Sequence, residues 1–187
     1  MRTLILATGL SIAAAGLSPA DAQTLDFLIA ETDRTQLLAQ LLEAAGFSCA
    51  LAEEGPYTVF APTDNGFDIV PEEAIADLRD PANRHVLRGV LSYHVVPGAY
   101  DTQALAVALE SAGGGPISLP TLHGDSLQLS YGDERYLLTD ALGNTVNLSE
   151  PGENYAADNG VLHLTVGVLM PTAESVFDDQ LADCAGD

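Results

Sequence analysis

Between residues 24 and 46 the apolar positions recur with helical spacing. Leu37, Leu38, Leu41, Leu42 and Ala45 fall at i, i+1, i+4, i+5 and i+8, one stripe of a 3.6-residue period. Asp33 stands where a carboxylate would cap the start of this helix, and Gly46 where a left-handed residue would end it. Upstream, Leu25, Phe27 and Leu28 predict a separate short helical turn. The period then changes. Tyr57-Thr58-Val59-Phe60-Ala61-Pro62 is rich in residues that favour a pleated surface and predicts a strand, which Pro62 ends because it has no amide hydrogen to donate. Thr63-Asp64-Asn65-Gly66 reads as a turn. Pro71-Glu72-Glu73 opens a short helix, and Asp80-Pro81 repeats the start signal. The helix that comes next places Val86, Leu87, Val90 and Leu91 on one face and runs into Tyr93-His94. Val95-Val96-Pro97-Gly98 begins a strand and turns.

The second half of the chain is mostly strand-like. Leu127–Tyr131 alternates apolar and polar, Tyr136–Thr139 is short and apolar, and Leu142–Leu148 reads as a turn feeding a strand. Val161–Val166 has the continuous apolar character of a buried strand, with Val168-Leu169-Met170 extending it to Pro171. Ser111–Pro116 is a glycine-rich loop, and Ser149–Asn154 a polar turn. Helices first and strands later predict an α+β fold with a largely antiparallel sheet.

The extreme N-terminus has a different character. Met1-Arg2, an uncharged apolar run from Leu4 to Leu17, and Ala20-Asp21-Ala22 form the pattern of a secretory signal peptide over residues 1–22, cleaved before Gln23. The run falls short of the roughly 20 residues a membrane span needs. The expected location is the periplasm, the medium or the cell surface, with no transmembrane segment.

Charge narrows the function. The chain carries 27 acidic and 6 basic residues, a net charge of −21, and every basic residue is Arg. Such a surface repels phosphate backbones and anionic headgroups, which excludes nucleic acid as a partner class. The absence of Lys excludes Schiff-base chemistry. Neither G-x-S-x-G nor G-x-x-x-x-G-K-[ST] occurs, so the expectation is a non-catalytic chain without a cofactor, although a Ser–His–Asp set assembled only in space leaves no sequence mark. The histidines His85, His94, His123 and His163 have no zinc-ligand spacing. Acidic pairs at Glu53-Glu54, Asp133-Glu134 and Asp178-Asp179 lack a calcium-loop pattern and read as solvated surface. His163, mid-strand among apolar neighbours, reads as a satisfied core histidine, whereas His85 and His123 are expected to be exposed. Cys49 and Cys184, an even pair in an exported chain, are expected to form a disulfide, with two separate thiols as the alternative.

Three segments in order carry a family resemblance. Thr58-Val59-Phe60-Ala61-Pro62-Thr63-Asp64-Asn65-Gly66-Phe67 is similar to the first conserved box of the fasciclin-like (FAS1) family, T-V-F-A-P-T-D-x-x-F. Leu91–Gly98 resembles its central Tyr-His segment, and Asn159-Gly160-Val161-Leu162-His163-Leu164 with Val168–Pro171 its second box. Thr121-Leu122-His123-Gly124 resembles the T-L-x-G piece between them. The resemblance covers residues 24–171. It implies one domain over residues 23–171 and a wedge-like β-sandwich or barrel flanked by helices; the acidic tail at residues 172–187 lies outside the resemblance. Val166 stands where the second box usually has an acidic residue.

By the same resemblance the function is adhesion or recognition of a protein or surface glycan outside the cytoplasm, with Tyr93 and His94 as partner-binding residues. The residues alone admit a second role for this pair: a buried His94 that fixes the helix-to-strand junction, with the Tyr93 hydroxyl at the rim. Thr58, Phe60, Pro62, Thr63, Asp64, Phe67, Asn159, Gly160 and His163 are then mainly structural, Asp64 as a turn or helix cap. The alternative function is a soluble carrier of a small apolar ligand held in a cleft between sheet and helices.

Overall fold

The computed structural model describes residues 23–53, 55–149 and 154–172. The expected leader, most of the acidic tail, Cys184, the Asp178-Asp179 pair and the tip of the Ser149–Asn154 turn lie outside the described residues.

Three short helices come first among the described residues: α1 (Leu25–Glu31), α2 (Gln36–Ala45) and α3 (Ser48–Glu53). In α2 the predicted stripe is the buried one, with Leu38, Leu41, Leu42 and Ala45 inside and Leu37 at its margin. The cap of α2 differs from expectation. The helix starts at Gln36, so Asp33 lies too far upstream, and Asp64 supplies the carboxylate instead: Oδ1 accepts from the Leu37 amide at 2.8 Å and Oδ2 from the Gln36 amide at 3.4 Å. Gly46 ends the helix as expected, at φ 60° and ψ 36°, with the Phe47 amide donating to the Leu42 carbonyl. Two arginines finish this terminus. Arg84 and the buried Arg88 donate to the Ala45 carbonyl, Arg88 also to that of Gly46, and the Arg88 guanidinium lies 5.4 Å from the centre of the Phe47 ring.

Beyond β1 (Tyr57–Pro62) come α4 (Glu72–Arg79), α5 (Arg84–Tyr93), β2 (Val95–Pro97) and α6 (Thr102–Ser111). Helix α6 is not among the elements that the patterning predicts. Its run of Ala, Leu and Val has little polar contrast, and its clearest signal is Asp101, whose side chain accepts from the Ala104 amide at 2.7 Å. The remaining elements are β3 (Ile117–Pro120), β4 (Ser126–Gly132), β5 (Arg135–Thr139), β6 (Thr145–Asn147), β7 (Tyr155–Ala157) and β8 (Gly160–Thr165).

Among the described residues, the strands form two four-stranded sheets and no closed barrel. Sheet A has the order β2-β1-β8-β7, and sheet B the order β3-β4-β5-β6. Sheet B is an antiparallel meander. Sheet A departs from the antiparallel expectation at its centre, where β1 and β8 run parallel with Tyr57 opposite Gly160 and Pro62 opposite Thr165. Parallel neighbours need cover on both faces, and the pleat provides it. Val59, Ala61, Leu162 and Leu164 pack with α1, α2 and α5, while Phe60 and Val96 pack with α6 and sheet B. The layers are therefore helices, sheet A, then sheet B with α6. A second departure comes after Thr165: Val168-Leu169-Met170 does not extend β8. Gly167, at φ 150°, leads out of the strand, and the next amides bond to side chains instead of a ladder, Leu169 to His94 at 3.1 Å and Met170 to Asp140 at 3.1 Å. Among the described residues, no helix is long and apolar enough to cross a membrane.

Candidate functional site

The residues of the first and last boxes meet in sheet A. Phe60 and His163 are register partners in β1 and β8, and their rings stack at 5.6 Å. His163 is buried, and its Nε2–H donates to the Tyr100 carbonyl at 2.7 Å. Thr58 donates to the Gly98 carbonyl and accepts from the Tyr100 amide, which clamps that loop, and Thr63 donates to the Thr165 carbonyl. The Asn159 side chain ties two helices: Oδ1 accepts from the Leu25 amide at the start of α1, and Nδ2 donates to the Leu51 carbonyl in α3 at 2.6 Å. Gly160 passes so close to β1 that a Cβ there would overlap the Tyr57 carbonyl oxygen and sit 2.8 Å from Leu25 Cδ1. Pro62 and Phe67 reach the same neighbourhood as the central Tyr-His pair, where they line a groove.

That groove, of about 350 Å³, lies between α2, α4, α5 and the Val168–Met170 segment. Its walls are almost entirely carbon, contributed by Leu38, Leu41, Phe67, Ile75, Val90 and Met170 among others, and His94 also lines it. Val86 and Met170 stand exposed in its wall, and Ile69, next to the lining residue Val70, is 76% exposed.

Tyr93 and His94 are both beneath the surface, at 0% and 3% exposure. The Tyr93 hydroxyl is not at a rim. It donates to the Ser126 carbonyl at 3.2 Å and accepts from the Ala141 amide at 2.8 Å, and burial pushes its pKa up to about 12. His94 joins α5 to β2 and to the segment after β8. Its Nδ1 is 2.8 Å from the Val90 carbonyl, and its Nε2 accepts from the Leu169 amide at 3.1 Å. These partners assign the neutral tautomer with the proton on Nδ1. Burial then lowers the pKa to about 4, since a second proton would desolvate a charge and face the Leu169 N–H. Both ring nitrogens are engaged, so His94 gives the groove shape without offering it a base or a metal ligand.

His123, expected to be exposed, is instead buried, at 6% exposure. The turn from Thr121 to Asp125 closes on itself through Thr121–Asp125 bonds and folds back, with the Leu122 amide donating to the Val95 carbonyl. This tucks the imidazole edge-on against Tyr93 at 5.8 Å and over Gly89. Burial lowers its pKa, and Asp125, 3.7 Å away, opposes that shift. His85 is exposed, as expected. Among the described residues no three His, Cys, Asp or Glu side chains are grouped to hold a metal ion.

Two supporting side chains are not singled out by sequence reasoning. Arg88 is buried with the apolar side of α5, and a charged residue between Leu87 and Val90 is the signal that could have found it. Asp140 is buried and accepts from the Leu142, Asn144 and Met170 amides, which fastens the β5–β6 turn to the groove's last wall.

Comparison with known proteins agrees with this architecture. The Fasciclin domain family matches residues 33–171. Protein sll1483 of Synechocystis sp. (strain ATCC 27184 / PCC 6803 / Kazusa) is 29% identical over 150 residues, covering 80% of this chain and 74% of that protein. Transforming growth factor-beta-induced protein ig-h3 of Sus scrofa is 30% identical over 172 residues, covering 90% of this chain and 22% of that much longer protein. Among solved structures, a FAS1 domain pair from the insect cell adhesion molecule Fasciclin I superposes with a TM-score of 0.67 at 19% identity, covering 82% of this chain and 53% of that one. With the family boxes joined in sheet A and the family match spanning most of its length, the chain belongs to the fasciclin (FAS1) domain family.

Proposed function

We propose that this chain is an exported, non-catalytic adhesion module that recognises a protein or surface glycan through the apolar groove between α2, α4 and α5. The observation that carries the reading is the groove itself, with exposed Val86 and Met170 over a buried, neutral His94. Tyr93 and His94 act from beneath: His94 joins α5 and β2 to the Val168–Met170 wall, Tyr93 joins α5 to Ser126 and Ala141, and partners touch the rim. Export rests on the leader pattern of residues 1–22, and adhesion on kinship with Fasciclin I, described as an insect cell adhesion molecule. Immobilised protein is expected to capture its partner from envelope extracts of its own host, and Val86→Glu and Met170→Glu to abolish capture without unfolding the domain. Undiminished capture by both variants would sink the assignment of this surface.

The second reading, a carrier of a small apolar ligand, is favoured by the nearly polar-free lining of the same groove. Native mass spectrometry of protein isolated from its host decides between them: a bound apolar molecule, lost in Leu41→Glu, supports the carrier. In either reading a Cys49–Cys184 bridge would pin the tail to α3, and a mass 2 Da below the reduced value is its expected signature (about 1 Da per thiol hydrogen lost).

A further inference from the structure

A second cleft, of about 510 Å³, opens between the last turn of α6, the glycine loop after it and the β4–β5 hairpin. It shares no lining residue with the apolar groove, so its role and the groove's stand or fall separately. Two of its walls are aromatic. Tyr131 and Tyr136 are cross-strand partners whose ring centres lie 5.1 Å apart with planes at 63°, forming a corner. Tyr136 is anchored in the core, with its hydroxyl reaching toward the Thr102 carbonyl, whereas Tyr131 is 55% exposed. An exposed ring held at an angle to a fixed one is half of an aromatic cage.

The third wall is electronegative. Glu110, in the last turn of α6, lines the cleft, is exposed, and makes no ion pair among the described residues. Its charge is felt across the cleft: after burial, the nearby Tyr131 and Glu110 are what raise the pKa of Tyr136. Helix α6 also ends here, which brings the negative end of its dipole to the same place. Gly113 and Gly114, at φ 73° and 80°, turn the chain away through left-handed conformations and carry no side chain to cover the opening. Among the described residues, no basic residue lines the cleft. Arg135, the adjacent one in sequence, alternates to the opposite face of β5 from Tyr136.

Ring faces, a carboxylate and a helix C-terminus all favour positive charge, inside a chain whose net charge of −21 concentrates cations around it. One carboxylate is too few for a calcium ion, which takes six or more oxygens. A sugar would find rings to stack on but few polar groups to fix its hydroxyls. A weakly hydrated cation loses least on meeting aromatic walls. We propose that this cleft binds a quaternary-ammonium group, held against Tyr131 and Tyr136 and neutralised by Glu110.

The test is titration of the full chain, isotope-labelled for NMR, with choline chloride at low ionic strength. Choline is expected to shift the amides of Glu110–Gly114, Tyr131 and Tyr136. Its uncharged isostere 3,3-dimethylbutan-1-ol is expected to bind about fivefold or more weakly, Tyr131→Ala to lose about fivefold, and Tyr131→Phe to stay within about twofold, because the ring face and not the hydroxyl carries the attraction. Glu110→Gln is expected to lose about threefold and much of the salt dependence. Tyr131 and Glu110 are exposed, so folding of both variants is checked by their unchanged spectra elsewhere. Phosphocholine is titrated beside choline: equal binding supports the site with a lipid headgroup as the source, and weaker binding supports it with a free small cation. Equal affinity for the uncharged isostere, choline binding unchanged in both Tyr131→Ala and Glu110→Gln, or shifts from methyl glucoside in place of choline would each overturn the proposal.

Discussion

Sheets A and B have four strands each and are built by opposite rules. Sheet B takes consecutive strands and joins them by hairpins, and its register is set by local turns. Sheet A takes β1 and β8 from opposite ends of the domain and lays them side by side, with no turn to align them. It is aligned by polar ties that leap along the chain: Asp64 to α2, Asn159 to α1 and α3, Thr58 to the Gly98–Tyr100 loop, and His94 to Leu169. A meander can keep its shape with many sequences that alternate in hydropathy. A junction of distant segments requires particular side chains at particular points. That contrast fits the placement of the first and last family boxes on sheet A, while the tyrosine cleft falls beside sheet B.

Glycine substitutions probe the contrast most strongly. Gly160→Ala puts a methyl group into the Tyr57 carbonyl and against Leu25, and is expected to cost more than about 4 kcal/mol or to prevent folding. Gly143→Ala, in the β5–β6 turn at φ 88° with nothing within 4 Å, is expected to cost only about 1 kcal/mol. Urea denaturation of the two variants measures the difference, and equal costs would break the comparison.

The next largest effect is pH-dependent. His94 has a pKa of about 4 in the folded protein against 6.5 for a free imidazole, so the unfolded chain binds more protons between those values. Its contribution, roughly 3 kcal/mol at one pKa unit per 1.36 kcal/mol, is fully present above pH 6.5 and is lost as pH falls toward 4. His123 shifts in the same direction and adds to the slope. His94→Gln is therefore expected to be less stable at neutral pH and to show a flatter stability profile from pH 7 to 4. A profile parallel to that of the unmodified protein would remove His94 from the account.

Asp64→Ala removes the carboxylate that caps α2 and is expected to cost about 1–2 kcal/mol, with Asp64→Asn recovering part of it. Smallest of all is Thr139→Ala in sheet B. It deletes a hydroxyl pair with Thr145 at 2.9 Å, and less than about 1 kcal/mol is expected from the shift in urea midpoint.

These differences also mark what the amino-acid pattern makes legible. The buried stripe of α2 is readable from its period and strand β1 from its residue types, and Gly46 ends its helix because only a left-handed residue suits that position. The capping nature of Asp64 is legible in its residue type, but its partner is not, since the helix it caps begins 28 residues earlier. The parallel pairing of β1 with β8 leaves no local trace, because both strands read as continuous apolar runs whichever way they point. His123 looks solvent-facing between a turn and Gly124, and only the backward fold of that turn buries it. Tyr93 is legible as important, but its depth depends on Ser126 and Ala141, which come from elements far along the chain.

The β1–β8 pairing has a kinetic consequence. Hairpins of sheet B close over a few residues and form within microseconds, whereas Tyr57 cannot meet its neighbour until Gly160 has been synthesised. Throughout that interval β1 has an unfilled flank of amides and carbonyls, and its Val59 and Ala61 lack the Leu162 and Leu164 that cover them later. The final strand therefore acts as the latch of assembly: fragments ending before it are expected to be captured by chaperones or to aggregate instead of maturing.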